Sequence, residues 1–225
     1  MLVNSEEVDR VAAVLTRNFD KVAVRTDYGW PGNSALTVLD CVLSLNRRYD
    51  AFTLPRVKAF SEHHPEVTTL VHLNAMFAKY PEIGQFSRDA LNYNDARRER
   101  TLRGVADYLL TIGPSYAGAT EWERLTAWAQ SARPADVASI GVKGFGLAGF
   151  QYLRMLLGAQ TTKPDIHIIR YVSEMVGRRL KDWDALLLLE KAAAKAGLSL
   201  REVDGEIWQL AARPPELRGN PAGPG

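Results

Sequence analysis

Cys41 is the only cysteine in this chain of 225 residues. A single thiol excludes an internal disulfide, a four-cysteine zinc site and a four-cysteine iron–sulfur cluster. No apolar run approaches the roughly 20 residues that a membrane-spanning helix needs. The opening residues, with Glu6, Glu7 and Asp9, lack the basic-then-apolar pattern of a secretion signal. A soluble cytoplasmic protein is therefore the expectation. Phosphate-loop and dinucleotide-binding glycine signatures are missing, and His63-His64 and His72 do not have metal-ligand spacing. Excess charge of one sign is missing too: 28 Lys+Arg against 26 Asp+Glu leave a formal net charge of +2 and a pI near 8.7. Such a balance neither requires nor excludes a nucleic-acid partner, because clustering of charge matters more than its sum. Strand signal is almost wanting, confined to Lys21–Arg25 through Val22 and Val24.

What is present is helix. With 46% hydrophobic residues the chain can bury one sizeable core or two small lobes. Val8, Val11, Leu15 and Phe19 recur at helical spacing behind Asn4 or Ser5 as cap. Residues 34–47 form a second, almost wholly apolar helix, hence central, with Cys41 as a small buried hydrophobe on its face. Pro55 opens a short helix and Pro65 closes the segment. Helices are predicted over 67–79, 85–92 and 95–112, and Thr120 with Glu123 forms a capping box before Trp122, Leu125 and Trp128. Leu147–Leu157 and Ile166–Leu180 follow, the latter with Ile166, Ile169, Val172, Val176 and Leu180 on one face. Ser199 with Glu202 caps a last helix that Pro214-Pro215 ends. The fold class is all-α, without repeats or a long dividing linker.

The stretch from Val142 to Ile168 carries the chemistry. Lys143-Gly144-Phe145-Gly146 is a glycine turn opening an apolar helix, and Pro164-Asp165-Ile166-His167-Ile168 comes after it. Two glycines two apart allow a tight turn with positive φ, so main-chain amides at Gly144, Gly146 and Leu147 can meet a phosphate unobstructed. An ordinary helix–helix turn is the other reading of those glycines. Asp165 stands where a new helix begins, as an N-cap held by first-turn amides. It either only caps that helix or also presents its carboxylate to a substrate. A phosphate grip beside a positioned acid points to chemistry on nucleic acid.

Together, Gly144-Phe145-Gly146 and Pro164-Asp165-Ile166-His167-Ile168 resemble the signature of the helix-hairpin-helix DNA glycosylase superfamily, which includes endonuclease III and alkyladenine glycosylases. The likeness extends over about residues 35–180, and Leu43-Ser44-Leu45-Asn46 lies where that family carries a Leu-Ser-x-Gln element. It implies a bilobal helical fold with the active site in the cleft between lobes. Residues 1–32 would pack with the C-terminal lobe 161–217, residues 33–160 would form the central lobe ending in the hairpin, and 218–225 would be a disordered tail. The resemblance further implies that Asp165 stabilises the cationic sugar and orients water as the base departs. Asn46 would fill the gap left by an extruded base. The family's strand-cutting members use a lysine two residues past the second glycine, where Ala148 stands here, which points to a glycosylase without lyase activity. Lys143 occupies a position where the family commonly has proline; phosphate contact suits it better than catalysis. Hairpin carbonyls of Val142 and Gly144 would hold a structural Na⁺ or K⁺, and no other cofactor is implied.

Other residues keep two readings. Arg47 and Arg48 contact phosphates and Tyr49 stacks on a base, or all three belong to a solvated helix end. Tyr28 and Trp30 line a base pocket or form an aromatic staple under a loop. Arg97, Arg98, Arg100 and Arg103 read as a solvated face, and His167 as a neutral histidine bracing the site. The expected partner is double-stranded DNA with a damaged base, bound by a monomer in the cytoplasm at the nucleoid, without a membrane. By elimination the substrate is an alkylated purine. A non-catalytic DNA-binding module and a helical scaffold are the competing functions.

Overall fold

Several helix starts in this chain are set by short polar side chains. In the computed structural model, which describes residues 3–19 and 29–212, Asn33, Thr69, Asp95, Thr120 and Asp165 each turn a side-chain oxygen onto an amide of the following first turn. Lys21–Arg25, Tyr28, Pro214-Pro215 and the tail 218–225 lie outside the described residues. Among the described residues there is no strand, and the fold is all-α.

In chain order the helices are α1 (Ser5–Phe19), α2 (Ser34–Leu43), α3 (Leu54–His63), α4 (Leu70–Phe77), α5 (Gln85–Asp89), α6 (Ala96–Ile112), α7 (Glu121–Ser131), α8 (Val137–Ile140), α9 (Leu147–Leu156), α10 (Ile166–Val176), α11 (Asp182–Ala196) and α12 (Leu200–Ala212). A π-helical turn, Tyr49–Thr53, precedes α3, and 3₁₀ turns at Gly113–Ser115 and Pro134–Asp136 precede α7 and α8. The chain divides into two compact units, Met1–Asp27 with Gln160–Gly225, and Tyr28–Ala159.

The larger unit is built on α2, every residue of which is buried. Helices α3, α4, α6 and α9 pack around it, and Phe60, Phe77, Phe86, Trp128 and Phe150 fill the layers between them. Cys41 is fully buried, as its place on an apolar face predicts, and its thiol donates to the Gly149 carbonyl at 3.3 Å. In the other unit α1 packs along α11 and α10, and α12 closes the group. Val11, Leu15, Val172, Leu188, Leu189 and Ile207 are at its centre. Glu7 of α1 accepts two bonds from Arg178, which follows the left-handed Gly177 ending α10.

Three expectations are corrected. The second helix stops at Leu43, because the Ser44 hydroxyl turns back to the Cys41 carbonyl and Asn46 takes φ +54°. Helix α10 ends at Val176 with Gly177 at φ +69°, and its buried face is Ile168, Tyr171, Val172, Met175 and Val176. Ile166, predicted to lead that face, is 76% exposed. Helix α11 lies outside the predicted set; its Leu186–Leu189 run has no single-face period to read.

Candidate nucleic-acid interface

The glycine turn is a short bridge between α8 and α9. The Phe145 amide closes it on the Val142 carbonyl at 3.1 Å, with Gly144 at φ +86°. Helix α6 braces it from one side. Thr101 donates its hydroxyl to the Lys143 carbonyl at 3.0 Å, and a Cβ on Gly104 would come within 2.9 Å of the Val142 side chain. Phe145 and Leu147 are buried, so only their backbones can meet a ligand, while Lys143, Gly144 and Gly146 are exposed.

Gly146 differs from its expectation. Its φ of −96° and ψ of −168° are extended backbone open to any residue, so positive φ holds at Gly144 alone. A Cβ built on Gly146 meets nothing within 4 Å. Neither conformation nor internal packing requires glycine at this position; what the missing side chain does is leave the start of α9 uncovered. Helix α9 has no side-chain cap, and among the described residues no acceptor is found for the amides of Gly144, Gly146 and Leu147. Unpaired amides at the positive end of a helix dipole suit a phosphate oxygen. The carbonyl set implied for Na⁺ or K⁺ fits a hard monovalent cation chemically, although Val142 already accepts the turn bond.

The loop after α2 lies against the same helix. Leu45 approaches so closely that a Cβ on Gly149 would sit 2.9 Å from it. Beyond it, Asn46, Arg47 and Arg48 are exposed, with Asn46 in the left-handed region that few residues besides glycine accept. Arg47 reaches Asp95 at 3.8 Å and lies 5.1 Å over the Phe52 ring, and Arg98 donates to the Val42 carbonyl at 2.8 Å. The Asn46 loop, the turn 142–146 and the start of α6 are thereby joined within one unit.

Beneath that loop is a carboxylate that no sequence motif marks. Asp40 is fully buried and accepts from Trp30 Nε1 at 2.8 Å, the Tyr49 hydroxyl at 2.7 Å and the Tyr152 hydroxyl at 3.0 Å. Trp30 and Tyr49, two of the three aromatics predicted for a base pocket, are thus gathered on one acid, each half-exposed. Tyr28 lies outside the described residues. Burial first, then the Asp40 charge and hydrogen bond, hold the Tyr49 phenol well above its usual range. The signal available in the sequence was one acid inside the apolar run Leu36–Leu43.

Asp165 belongs to the other unit. As predicted, it caps α10: Oδ1 accepts from the amides of His167 at 2.9 Å and Ile168 at 3.3 Å. Oδ2 has no donor among the described residues, and the side chain is half-exposed. His167 holds a buried Nδ1 without a described partner. The segment that delivers Asp165 is tied down by Asp204 of α12, whose Oδ2 accepts from the Thr162 hydroxyl at 2.5 Å and the Lys163 amide at 2.9 Å. The Lys163 carbonyl in turn accepts the Asp165 amide at 2.7 Å. Ala148 is in the first turn of α9, and Lys163 is committed to the Asp204 segment through its backbone.

A family model described as a domain of unknown function (DUF8548) matches residues 8–212. No curated protein and no solved structure matches the chain.

Burial pushes the Asp204 carboxyl from 3.8 up to about 7, against the opposing bonds from the Thr162 hydroxyl and the Lys163 amide. Between those values the folded chain keeps a proton that the unfolded chain has lost, so this stability is present at low pH and lost as pH rises through about 7. In urea unfolding, wild type should lose stability relative to Asp204→Asn between about pH 4 and 7, on the order of a few kcal/mol; parallel curves would contradict the assignment. Separately, Gly146→Ala should keep the folding free energy within about 1 kcal/mol. If the open amides hold a phosphate, the same variant should weaken binding to a plain duplex roughly tenfold, an anisotropy measurement equivalent to about 1.4 kcal/mol.

Proposed function

The chain belongs to the DUF8548 family, and we propose that it is a monofunctional DNA glycosylase of base excision repair. In this reading the fold is a bilobal helix-hairpin-helix glycosylase fold with its active site between two helical lobes. The observation that carries the reading is the split use of the Asp165 carboxylate. One oxygen is fixed by two first-turn amides and the other has no described donor. An ordinary cap leaves its second oxygen to water, and that same open oxygen is what a group stabilising positive charge requires.

The chemistry follows from that oxygen. As the N-glycosidic bond breaks, its electron pair leaves with the base and positive charge builds on the sugar. The open carboxylate oxygen of Asp165 stabilises that charge and orients a water. The water oxygen bonds to the anomeric carbon, its proton passes to the carboxylate, and the departing base is protonated from solvent. The products are a free base and an abasic site. Ala148 supplies no amine for a Schiff base, so the strand stays intact.

Strand binding falls to Lys143, the amides of Gly144, Gly146 and Leu147 around buried Phe145, and Arg47 and Arg48. Asn46 fills the gap of the extruded nucleotide, and Trp30 and Tyr49, held on Asp40, offer aromatic faces to the base. The carbonyls of Val142 and Gly144 would hold a Na⁺ or K⁺ that adds positive charge beside the phosphate. An alkylated purine is the proposed substrate, and a monomer at the nucleoid of the cytoplasm the proposed setting. No described helix is long and apolar enough to cross a membrane. A second reading, a non-catalytic duplex-binding module, is favoured by one fact: the turn, the uncapped α9 and the exposed Arg47 and Arg48 need nothing from Asp165.

Asp165→Asn separates the two. The amide oxygen can still cap α10, so duplex binding should survive while base release from alkylated DNA falls on the order of 10²–10³. Equal loss of both would assign Asp165 to structure. Borohydride should trap no covalent adduct between wild type and a substrate duplex; a trapped adduct would show that a lysine acts.

A further inference from the structure

The arginines at the start of α6 differ sharply in what they do. Arg103 donates to Glu99 and to the carbonyls of Phe77 and Tyr80, and Arg98 donates to the Val42 carbonyl and lies near Asp95. Arg97 and Arg100 are exposed and have no described partner. The acids of this segment are spent. Asp95 caps α6 and draws Arg47 and Arg98. Glu99 is 1% exposed and accepts from the amides of Gly84 and Ser87 as well as from Arg103. The outward charge left at the start of α6 is positive, although the chain as a whole is nearly neutral.

Helical spacing fixes where that charge stands. Thr101 touches the Lys143 carbonyl and Gly104 touches Val142, so the face of α6 that carries 101 and 104 lies along the glycine turn. Arg97 is one turn earlier on that face, and Arg100 is adjacent to it at i+3. Both side chains therefore rise beside Lys143 and the uncapped start of α9.

We propose that Arg97 and Arg100 are a second phosphate-binding element, which extends the contact with duplex DNA from the glycine turn along the N-terminal end of α6. This rests on the DNA-binding reading above. It adds that the strand runs across two elements of one unit, the amides of the turn holding one phosphate and the guanidinium pair neighbouring ones. Guanidinium groups suit the role, since their forked donors match phosphate oxygens. Fixing the turn to α6 through Thr101 keeps the two elements in register.

The test is duplex binding by the full chain as a function of salt, read by anisotropy with a short undamaged duplex. Each phosphate contact contributes about 0.9 to the slope of log K against log salt. Arg97→Ala/Arg100→Ala should lower the slope by about 1.8 and weaken binding at low salt, with an unchanged circular dichroism spectrum. Arg97→Lys/Arg100→Lys should keep the slope, and Lys58→Ala, which removes an exposed charge on α3, should change nothing. Wild-type slope and affinity in the alanine pair would overturn the inference and leave the DNA reading standing. A similar loss in Lys58→Ala would reduce the pair to general charge and also overturn it. No salt-sensitive duplex binding by wild type would sink the DNA reading and this inference with it.

Discussion

The first amides of a helix need acceptors, and this chain meets that need in two opposite ways. At α10 the acceptor is built in: Asp165 turns one oxygen onto the amides of His167 and Ile168. At α9 it is withheld, because Gly146 has no side chain and no other described group takes its place. The first arrangement immobilises a carboxylate, and the second leaves backbone donors for something outside the chain. The functional reading rests on this contrast. Glycine at a helix start forfeits only about a few tenths of a kcal/mol of capping stability, so the open amides are kept at little cost to the fold.

Both arrangements are held by polar groups placed deep in their units. Thr101 holds the turn to α6 through the Lys143 carbonyl. Asp204 holds the segment before Asp165 through the Lys163 amide, and the Lys163 carbonyl takes the Asp165 amide, so a buried acid on α12 bears on where the cap residue stands. Asp40 gathers Trp30, Tyr49 and Tyr152 in the same manner. Buried carboxyl groups are tolerated where donors surround them, and they fix geometry because losing one donor leaves a buried polar atom unsatisfied.

What was legible in the sequence was local. The Thr120–Glu123 capping box, the Asp165 cap and the apolar burial of α2 involve residues close together in the chain, and all three are found. The face of α10 differs from its expectation because Ile166 is apolar but begins the helix on its outer side, and hydropathy alone cannot set rotational phase. Asp40 escaped because its bond to Tyr152 spans 112 residues, and Asp204 because Thr162 is 42 residues away. Gly146 shows the limit most clearly. Its residue type is legible, but the extended backbone and the empty space beside it are set by the packing around the turn, which no local pattern encodes.

The most direct measurement is single-turnover formation of abasic sites by the wild-type chain on a set of duplexes, each with one defined lesion. The account predicts that free base and an intact abasic strand accumulate together on a duplex with an alkylated purine, and not on the undamaged control. Tight, salt-sensitive binding to every duplex with no abasic site on any of them would contradict it and leave a protein that holds DNA without cutting the sugar–base bond.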